Sequence, residues 1–447
     1  MFFGDCVKRG QSKFIANHSS FIIHHSSLDI KTFFRRPEFW ILAGILSLAI
    51  TRDFIANGRP LYCRIGQERF YPGLRLIWTD PQKVYGHAVL DSIQRYNLWR
   101  TFPYEAAVFA PIPFFAAETA SRPPLRLAKP GTVNPYLGAT AHASDGSQPP
   151  SKRVFRHWLG TDGTGHDVAA GLVYGARIAV LTGTLAMSMA LLIGLFLGAI
   201  AGFWGDDRLK VRRGTLLFTL LAIPLAWFYG FVARANLYGA DDNRYLSGGV
   251  LIFAGIMVAL NGLGQLLSRH RFFSKPVVLP ADLLIMRAAE VLNSIPRLVF
   301  VIAIAVLLPQ NQSIWLMIAL IGALGWTGFA RYVRAELLRI RALDYITAAR
   351  GMGFSPLRVL WHHALPNALR AVAIAFALGT ANAILLESSL TFLGFGGDAF
   401  IHKSWGSLLY QAQSDRTAWW ITLLPGLLIC LTVWSLHLVG EKINNKK

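Results

Sequence analysis

The chain has 447 residues, of which 53% are hydrophobic and only 15% are charged, and its mean hydropathy is +0.41. This balance lies outside the usual range of soluble domains and predicts a membrane protein. The net charge of +20 does not indicate nucleic-acid binding, because the basic residues cluster beside apolar runs and no nucleic-acid reader motif accompanies them. The three cysteines, Cys6, Cys63 and Cys430, form no CxxC pair, so neither a zinc knuckle nor a disulfide framework is indicated.

The first 31 residues carry basic side chains but no apolar stretch followed by a small-residue cleavage site. They are therefore predicted to be a cytoplasmic tail and not a signal peptide. A first transmembrane helix is predicted over 32–55, around the short apolar run 39–50.

A membrane-spanning helix needs about 20 mostly apolar residues. The clear candidates are 178–204, 215–235, 249–267, 313–330, 369–390 and 418–440. The runs 39–50 and 296–308 are shorter and reach that length only with flanking residues, and Pro296 suits a first helical turn. The sequence thus predicts an all-α polytopic membrane protein with eight spans.

Lysine and arginine are distributed unevenly between the loops. The stretch before the apolar run 39–50 holds six, 205–214 four, 268–290 four and 331–368 six, whereas 236–248 holds only one. Basic loops stay in the cytoplasm, so both termini are predicted to be cytoplasmic. The stretch 56–176 then lies outside as a small extracytoplasmic domain. The preference of basic loops for the cytoplasm applies to short loops, and this stretch is long enough to be exempt from it.

One polar segment between two apolar runs has a specific pattern: "DYITAARGMGFSPLRVLWHHALPN", residues 344–367. Tyr345, Ala348, Ala349 and Met352 are spaced to share one face of a helix. Gly353 follows where a left-handed residue would end that helix.

A second short helix is predicted to begin with Ser355 as its cap and Pro356 as its first residue. Pro366 is predicted to stop this helix before the next span. Its apolar face would consist of Leu357, Leu360, Trp361 and Ala364. Helices this short are marginal alone, so their apolar faces need a cover. Two interpretations remain open: a hairpin packed on lipid headgroups or its own bundle, and a docking knuckle for a cytoplasmic partner.

The segment resembles the EAA loop of ABC-importer permeases, whose pattern is E-A-A-x3-G-x9-I-x-L-P. Here it reads Thr347-Ala348-Ala349, then Gly353, then His363-Ala364-Leu365-Pro366, with complete spacing, Thr in place of Glu and His in place of Ile. The resemblance implies a coupling loop that seats in an ATPase subunit. The residues it implicates are Asp344, Tyr345, Thr347, Ala348, Ala349, Gly353, Pro356, Leu365 and Pro366.

Further blocks are similar to the oligopeptide/dipeptide branch of that family. They are "HWLGTDGTGHDVAAGLVYGARIAV" (157–180, with His166 in place of the usual Arg), "DLLIMRAAEVLNSIPRLVF" (282–300) and "LLESSLTFLGFG" (385–396). The stretch 55–72 resembles the permease subunit of microcin-C and oligopeptide importers. Residues 206–281, which contain two of the predicted spans, have no counterpart in the family pattern.

The resemblance implies a type I ABC-importer permease bundle of six family spans plus about two inserted spans, in the bacterial cytoplasmic (inner) membrane. The predicted organisation is a cytoplasmic tail 1–31, a transmembrane helix 32–55, an extracytoplasmic domain 56–176, a transmembrane helix 177–205, an inserted segment 206–281, a permease core 282–440 with the coupling loop 344–366, and a tail 441–447. The implied partners are a second homologous permease, two cytoplasmic ABC ATPase domains, an extracytoplasmic solute-binding protein and the lipid bilayer, with no nucleic acid.

The sequence shows no catalytic set of its own. No GxxxxGK[ST] motif occurs, and the glycine-rich 160–167 lacks the lysine, so ATP hydrolysis is expected on separate subunits. No cofactor and no metal site are predicted, because adjacent histidines such as His362 and His363 point about 100° apart on a helix. Asn382 and Glu387 lie in or near an apolar span, where they either line the pathway or hydrogen-bond between helices.

These observations favour a permease subunit that imports oligopeptides or dipeptides by alternating access. Import of nickel or another small solute is the alternative within the family. A membrane receptor or scaffold that recruits a cytoplasmic partner is the alternative from another class.

Overall fold

The computed structural model describes residues 36–74, 85, 87–116, 118, 125–134, 154–205, 210–233, 243–268, 270, 273–307, 313–395, 403–413 and 417–444. The predicted N-terminal tail 1–31 and the last three residues of the predicted tail 441–447 lie outside the described residues.

The described part of the chain is mainly helical. Its helices are α1 (Pro37–Ile55), α2 (Ala88–Arg95), α3 (Val168–Ala199, continued by a π-helical segment Ile200–Trp204), α4 (Arg213–Trp227, continued by a π-helical segment Phe228–Val232), α5 (Asn243–Leu267), α6 (Ala281–Ser294), α7 (Arg297–Leu307), α8 (Ile314–Ile340), α9 (Asp344–Gly351), α10 (Pro356–Val359, continued by a π-helical segment Leu360–Ala364), α11 (Leu365–Phe392), α12 (Trp405–Gln411) and α13 (Trp419–Asn444). Its strands are β1 (Tyr62–Ile65), β2 (Glu68–Phe70), β3 (Ala106–Val108), β4 (Thr132–Val133), β5 (Arg156–His157), β6 (Lys210–Arg212) and β7 (Pro276–Val278).

Within the described residues, six helical stretches are long and apolar enough to cross a membrane. They are Val168–Trp204, Arg213–Val232, Ser247–Leu267, Ile314–Ile340, Ala371–Phe392 and Trp419–Lys442. They correspond to the six clear runs of the sequence. The first predicted span forms helix α1, but α1 is not among the six, because Glu38, Arg52 and Asp53 interrupt its apolar character.

The span predicted around the run 296–308 is not one straight helix. Two helices form, α6 and α7, and they are bent by 79° relative to each other at a break that consists of Ile295 and Pro296. The pair is apolar enough to count as a seventh, broken span. A proline lacks the N–H that would continue the hydrogen bonds of α6, and it disfavours a helical conformation in the preceding Ile295, which adopts an extended conformation here.

The described residues form two compact units. The first comprises residues up to Leu181 together with those from Glu387 onward. Within it, β1 lies between β2 and β3 in a three-stranded antiparallel sheet, with Cys63 opposite Phe70 and Ala107. One apolar core contains Cys63, Leu90, Ile93, Trp99 and Tyr104, and a second contains Ala56, Phe114, Ala116, Phe155, Ala170 and Val173. The described parts of 56–176 therefore have apolar cores around a small sheet.

In the same unit α13 packs against α1 and α12. Glu38 of α1 forms ion pairs with Arg36 and Lys442. The carboxylate in the first turn of α1 is thus neutralised by side chains from both termini of the described chain.

The second unit comprises Thr182–Leu386. Its core lies where α3 and α8 cross, at glycines that leave no room for a side chain. A Cβ at Gly194 would lie 2.5 Å from Cβ of Phe329, and one at Gly198 would lie 2.6 Å from the carbonyl oxygen of Ala330. The buried residues around this crossing include Phe203, Val333, Leu337 and Ile340.

The inserted segment forms a separate helical hairpin in this unit. Helices α4 and α5 pack on each other, and strands β6 and β7 pair at their base, with Lys210 opposite Val278. The side chains of the outer faces are exposed and apolar, among them Leu220, Trp227, Leu251 and Val258. The two predicted inserted spans therefore form one hairpin with apolar outer faces.

Candidate coupling site

The predicted coupling loop begins with the eight-residue helix α9, which ends at a glycine as expected. Gly353 has a φ of +81°, in the left-handed region that L-residues rarely adopt. Its N–H donates to the carbonyl of Arg350, and the N–H of Phe354 donates to that of Ala349. This pair of bonds is a Schellman cap, which satisfies the last carbonyls of the helix and turns the chain sharply.

The second arm begins as the sequence predicts. The hydroxyl of Ser355 accepts a hydrogen bond from the N–H of Arg358, and Pro356 occupies the first helical turn. The amide of Asn367 donates to the hydroxyl of Tyr345 at 3.2 Å, which ties the second arm to the first. The rings of Phe354 and His363 stack inside the bend, with their centroids 6.2 Å apart. These contacts fix the angle between the arms.

The prediction that Pro366 stops the second helix is wrong. The helix continues through it into the long helix α11 (Leu365–Phe392), so the second arm is the first part of a continuous helix. A π-helical segment, Leu360–Ala364, precedes the proline, and the N–H of Leu365 donates to the carbonyl of Leu360, five residues earlier. The wider turn accommodates a residue that lacks an N–H and would otherwise clash with the preceding turn.

One face of this bend is part of the core of its unit. Ile346 and Ala349 of the first arm are buried, as are Val359, Leu360 and Ala364 of the second. They belong to the same apolar cluster as Phe203 of α3 and Leu337 and Ile340 of α8. The guanidinium of Arg350 also lies over the ring of Phe203, 5.2 Å from its centroid. The bend therefore packs directly on the ends of α3 and α8.

The opposite face is apolar and uncovered. Tyr345, Met352, Leu357 and Trp361 are exposed by 42%, 68%, 56% and 59% respectively, and Ala348 is exposed between them. We call these five residues the elbow patch. Of the face predicted for the first arm, only Ala349 points inward; Tyr345, Ala348 and Met352 point outward. An exposed apolar cluster of this kind marks a contact surface for another molecule.

The remaining residues assigned to the loop lie on the same bend. Asp344 and Thr347 are exposed on the first arm, and the hydroxyl of Thr347 donates to the carbonyl of Asp344 at 2.7 Å. Leu365 is buried, while Pro366 is exposed. The bend thus brings the predicted coupling residues together on one short stretch of chain.

A second polar site, in the other unit, was not identified from the sequence. In the turn 157–167 the polar side chains of His157, Asp162, His166 and Asp167 are buried. Lys403 is buried with them, and its ammonium lies 3.0 Å from a carboxylate oxygen of Asp162. The other oxygen of Asp162 accepts hydrogen bonds from the backbone of Thr164 and His166. The sequence block around these residues is distinctive, but Lys403 lies 241 positions from Asp162 and gives no signal of the pairing.

His157, at the start of this turn, has a hydrogen-bonding partner at each ring nitrogen. Its Nδ1 lies 2.8 Å from the carboxylate of Asp167, and its Nε2 lies 3.1 Å from the side-chain amide of Asn134. The ring of Phe114 stacks on that of His157 at 4.3 Å. Every polar atom of this ring therefore has a partner, which is the pattern of a structural histidine.

The charge state of the turn follows from its surroundings. Burial raises the pKa of the Asp162 carboxyl, but the hydrogen bond with His166 and the positive charge of Lys403 outweigh burial, so the pKa lies well below its ordinary value. Asp162 is thus ionised at neutral pH, and its pairing with Lys403 closes the turn over the residues that lead into α3.

The two candidate pathway residues differ in exposure. Glu387 is buried and accepts a hydrogen bond from the hydroxyl of Ser388 at 3.2 Å, whereas Asn382 is exposed on α11. The hydrogen bond from Ser388, the next residue of α11, does not decide between the two interpretations, so the role of Glu387 stays a prediction. A pathway role for Asn382 stays a prediction.

Comparison with known proteins identifies the class of molecule that carries this bend. Residues 277–443 match the model of the family described as binding-protein-dependent transport system inner membrane component. A putative peptide transport system permease protein of Brucella suis is 34% identical over 211 residues, which are 47% of this chain and 67% of that protein. The chain belongs to this family of inner-membrane permeases.

Two further relatives align over a longer part of the permease. The dipeptide transport system permease protein of Alkalihalophilus pseudofirmus is 27% identical over 70% of this chain and 78% of its own length. The oligopeptide transport system permease protein of Bacillus subtilis is 25% identical over 69% of this chain and 76% of its own. The family is one of transport permeases and not of enzymes. Its several long apolar helices make this permease a multi-pass membrane protein.

Proposed function

We propose that this permease is one transmembrane half of an ATP-driven importer of oligopeptides or dipeptides. The substrate class rests on the relatives, which are named as peptide, dipeptide and oligopeptide permeases. The expected partners are a second homologous permease, two cytoplasmic ATPase domains that hydrolyse ATP, and an extracytoplasmic binding protein that delivers the peptide.

The observation that carries this proposal is the two-faced bend. Its inner face belongs to the core with α3 and α8, and its outer face is the elbow patch. An ATPase that binds the elbow patch and changes shape on ATP hydrolysis would move the ends of both helices together. The membrane bundle would then alternate its opening between the two sides.

The proposed orientation places both termini and the bend in the cytoplasm. Counting α1, the broken pair α6–α7 and the six other spans gives eight crossings, and an even number returns the chain to its starting side. The two crossings of the hairpin α4–α5 leave the orientation of later helices unchanged. Residues 56–176 then lie outside, where a loaded binding protein would dock.

The elbow patch is tested by placing a charge on it. In the Leu357→Lys variant, a lysine replaces a side chain that is 56% exposed on the patch. We expect it to lower recovery of the ATPases with the tagged permease about tenfold, which corresponds to about 1.4 kcal/mol of binding. ATP-driven peptide uptake should fall with it, while the amount of permease in the membrane stays unchanged.

The matched control is Val278→Lys. Val278 is 44% exposed on β7, in the same unit but outside the elbow patch, and a lysine there should leave ATPase recovery and uptake as in the wild type. Full uptake by the Leu357→Lys permease would contradict coupling through this bend. Co-purification of signalling proteins in place of ATPases would support a receptor.

Gly353→Trp tests the turn itself. A Cβ added at position 353 would have no other atom within 4 Å. The backbone φ of +81° at this position nevertheless strains any L-residue. We expect normal insertion and reduced coupling, measured as ATP hydrolysis per peptide transported. An unchanged ratio would argue against the need for this turn geometry.

A further inference from the structure

The base of the inserted hairpin contains an open cleft. Strands β6 and β7 pair at this base, where α4 begins and α5 ends. The cleft has a volume of about 520 Å³ and is lined by Arg212, Gly262, Gln265, Leu266 and Ser268. Its walls thus combine a guanidinium, an amide and a hydroxyl with an apolar side chain.

The cleft lies at the end of both membrane spans of the hairpin. The first apolar stretch runs from Arg213 to Val232 and the second from Ser247 to Leu267. Arg212 directly precedes the first residue of one stretch, and Ser268 directly follows the last residue of the other. The cleft therefore lies at the level where an apolar span meets the polar headgroups of a bilayer.

The chain around the cleft is strongly basic. Residues 205–214 and 268–278 contain seven lysines and arginines against two aspartates, a net charge of +5. Arg212, Arg213 and Lys275 are exposed, and the N–H of Arg213 donates to the carbonyl of Lys275 at 3.1 Å. Within the part of the chain that the structure describes, none of these three side chains pairs with a carboxylate. They place an unbalanced positive charge at the base of the hairpin.

The guanidinium of Arg212 is held at the cleft by α5. Its Nη1 donates to the hydroxyl of Ser268 at 3.2 Å, and this hydroxyl donates to the carbonyl of Gln265 at 2.6 Å. The N–H of Ser268 donates to the carbonyl of Gly264 at 2.9 Å. Carbonyls at the C-terminal end of a helix repel an anion, and these two are already hydrogen-bonded.

Exposed apolar side chains continue from the cleft along both helices. Leu217 of α4 is 46% exposed, and Leu263 and Leu266 of α5 are 43% and 59% exposed. All three lie within about two helical turns of the basic residues. A free phosphate would leave these side chains uncovered, whereas a phospholipid would cover them with its acyl chains.

We propose that the base of the hairpin binds an anionic phospholipid, with the phosphate at Arg212 and the acyl chains along α4 and α5. A guanidinium donates paired hydrogen bonds to a phosphate, and each further lysine or arginine nearby adds attraction for anionic lipid. The proposed orientation of the permease assigns this lipid to the cytoplasmic leaflet. The site belongs to the inserted segment and does not depend on the cargo of the permease.

The test measures which lipid lies against the base of the hairpin. The full-length permease is placed in nanodiscs of four parts phosphatidylcholine to one part phosphatidylglycerol. A diazirine near the glycerol end of one acyl chain is carried by the phosphatidylglycerol in one sample and by the phosphatidylcholine in the other. After irradiation, mass spectrometry quantifies the label on residues 213–217 and 262–268, per molecule of each lipid present.

In the wild type we expect phosphatidylglycerol to be preferred about tenfold or more. Arg212→Gln, Arg213→Gln and Lys275→Gln should each lower this preference about fivefold, which corresponds to about 1 kcal/mol per basic side chain. Arg212→Lys, which keeps the charge but not the planar fork, should lose less than Arg212→Gln.

The matched control is Arg244→Gln. Arg244 is the second residue of α5, at the opposite end of the hairpin from the cleft, and its replacement should leave the preference at the base as in the wild type. Size-exclusion chromatography should show the same elution for all variants, because the three basic side chains at the base are exposed.

An unchanged preference in all three glutamine variants of the base would overturn the site. An equal loss in Arg244→Gln would overturn it as well, since the preference would then come from the net charge of the permease. Loss of the preference when inorganic phosphate replaces chloride at constant ionic strength would identify a soluble phosphate, and not a lipid, as the ligand.

Discussion

Two helix pairs of the second unit both approach closely at glycines, but they differ in how much of their surface is buried. In the α3–α8 pair, a Cβ at Gly198 would lie 2.6 Å from a carbonyl oxygen of the facing helix; in the α4–α5 hairpin, a Cβ at Gly214 would lie 2.8 Å from the carbonyl oxygen of Gly264. In each of α3 and α8, 44% of the most apolar stretch is buried, against 17% in α4 and 6% in α5.

The difference shows what glycine contacts do and do not determine. Small residues allow two helices in a membrane to approach closely in either place. Burial on the remaining faces depends on what else packs there, and the core around α3 and α8 includes the coupling bend. The outer faces of the hairpin are exposed and apolar, as expected for an insert that contacts lipid at the periphery of the permease.

The largest expected effect is at the core crossing. A leucine at Gly198 would push α3 away from the backbone of Ala330 and from Val333, whose Cβ is 2.8 Å from the position of the new Cβ. Overpacking against backbone costs about 3 kcal/mol or more, and we expect the folded permease to be lost in size-exclusion chromatography of detergent extracts. Gly262→Leu, on α5 with nothing within 4 Å, is the matched control and should elute normally. Equal yields of the two variants would contradict the close crossing.

A leucine at Gly264 should have a smaller, local effect. Its Cβ would lie 2.9 Å from Cβ of Phe218 and 3.2 Å from the carbonyl oxygen of Gly214. We expect the hairpin to open while the core stays folded, so that hydrogen exchange measured by mass spectrometry rises in α4 and α5 and remains unchanged in α3 and α8. Faster exchange in α3 and α8 as well would show that the hairpin supports the core.

A still smaller effect is expected inside the hairpin at its polar contact. The hydroxyl of Thr219 lies 2.6 Å from the side-chain oxygen of Asn261. Thr219→Val removes this contact, which is worth about 1 kcal/mol in a membrane, and should speed exchange in the hairpin about fivefold. Thr219→Ser keeps the hydroxyl and should exchange as the wild type does. Identical exchange in the valine and serine variants would mean that the contact contributes nothing.

The smallest effect on transport is expected from removal of the hairpin. Residues 213–275 can be replaced by a two-residue Asn-Gly turn, because β6 and β7 already bring Arg212 opposite Pro276. Peptide uptake by this shortened permease should match the wild type. Loss of uptake with intact ATPase binding would place the hairpin in the transport route and end the contrast between the two helix pairs.

The sequence by itself determined the features that depend on neighbouring residues. Six apolar runs became six long helices, because length and apolarity suffice to define a span. The coupling bend followed from local chemistry: only a residue tolerant of positive φ suits position 353, and serine before proline begins a helix.

Tertiary structure decided the features that depend on distant partners. Ile346 and Ala349 face inward because α3 and α8 supply the apolar surface that covers them, which periodicity alone does not reveal. The helix continues through Pro366 because a π-helical turn widens before it. Asp162 and Lys403 meet across 241 positions, and no local pattern encodes such a pair, since its energy arises only when the fold buries both charges together.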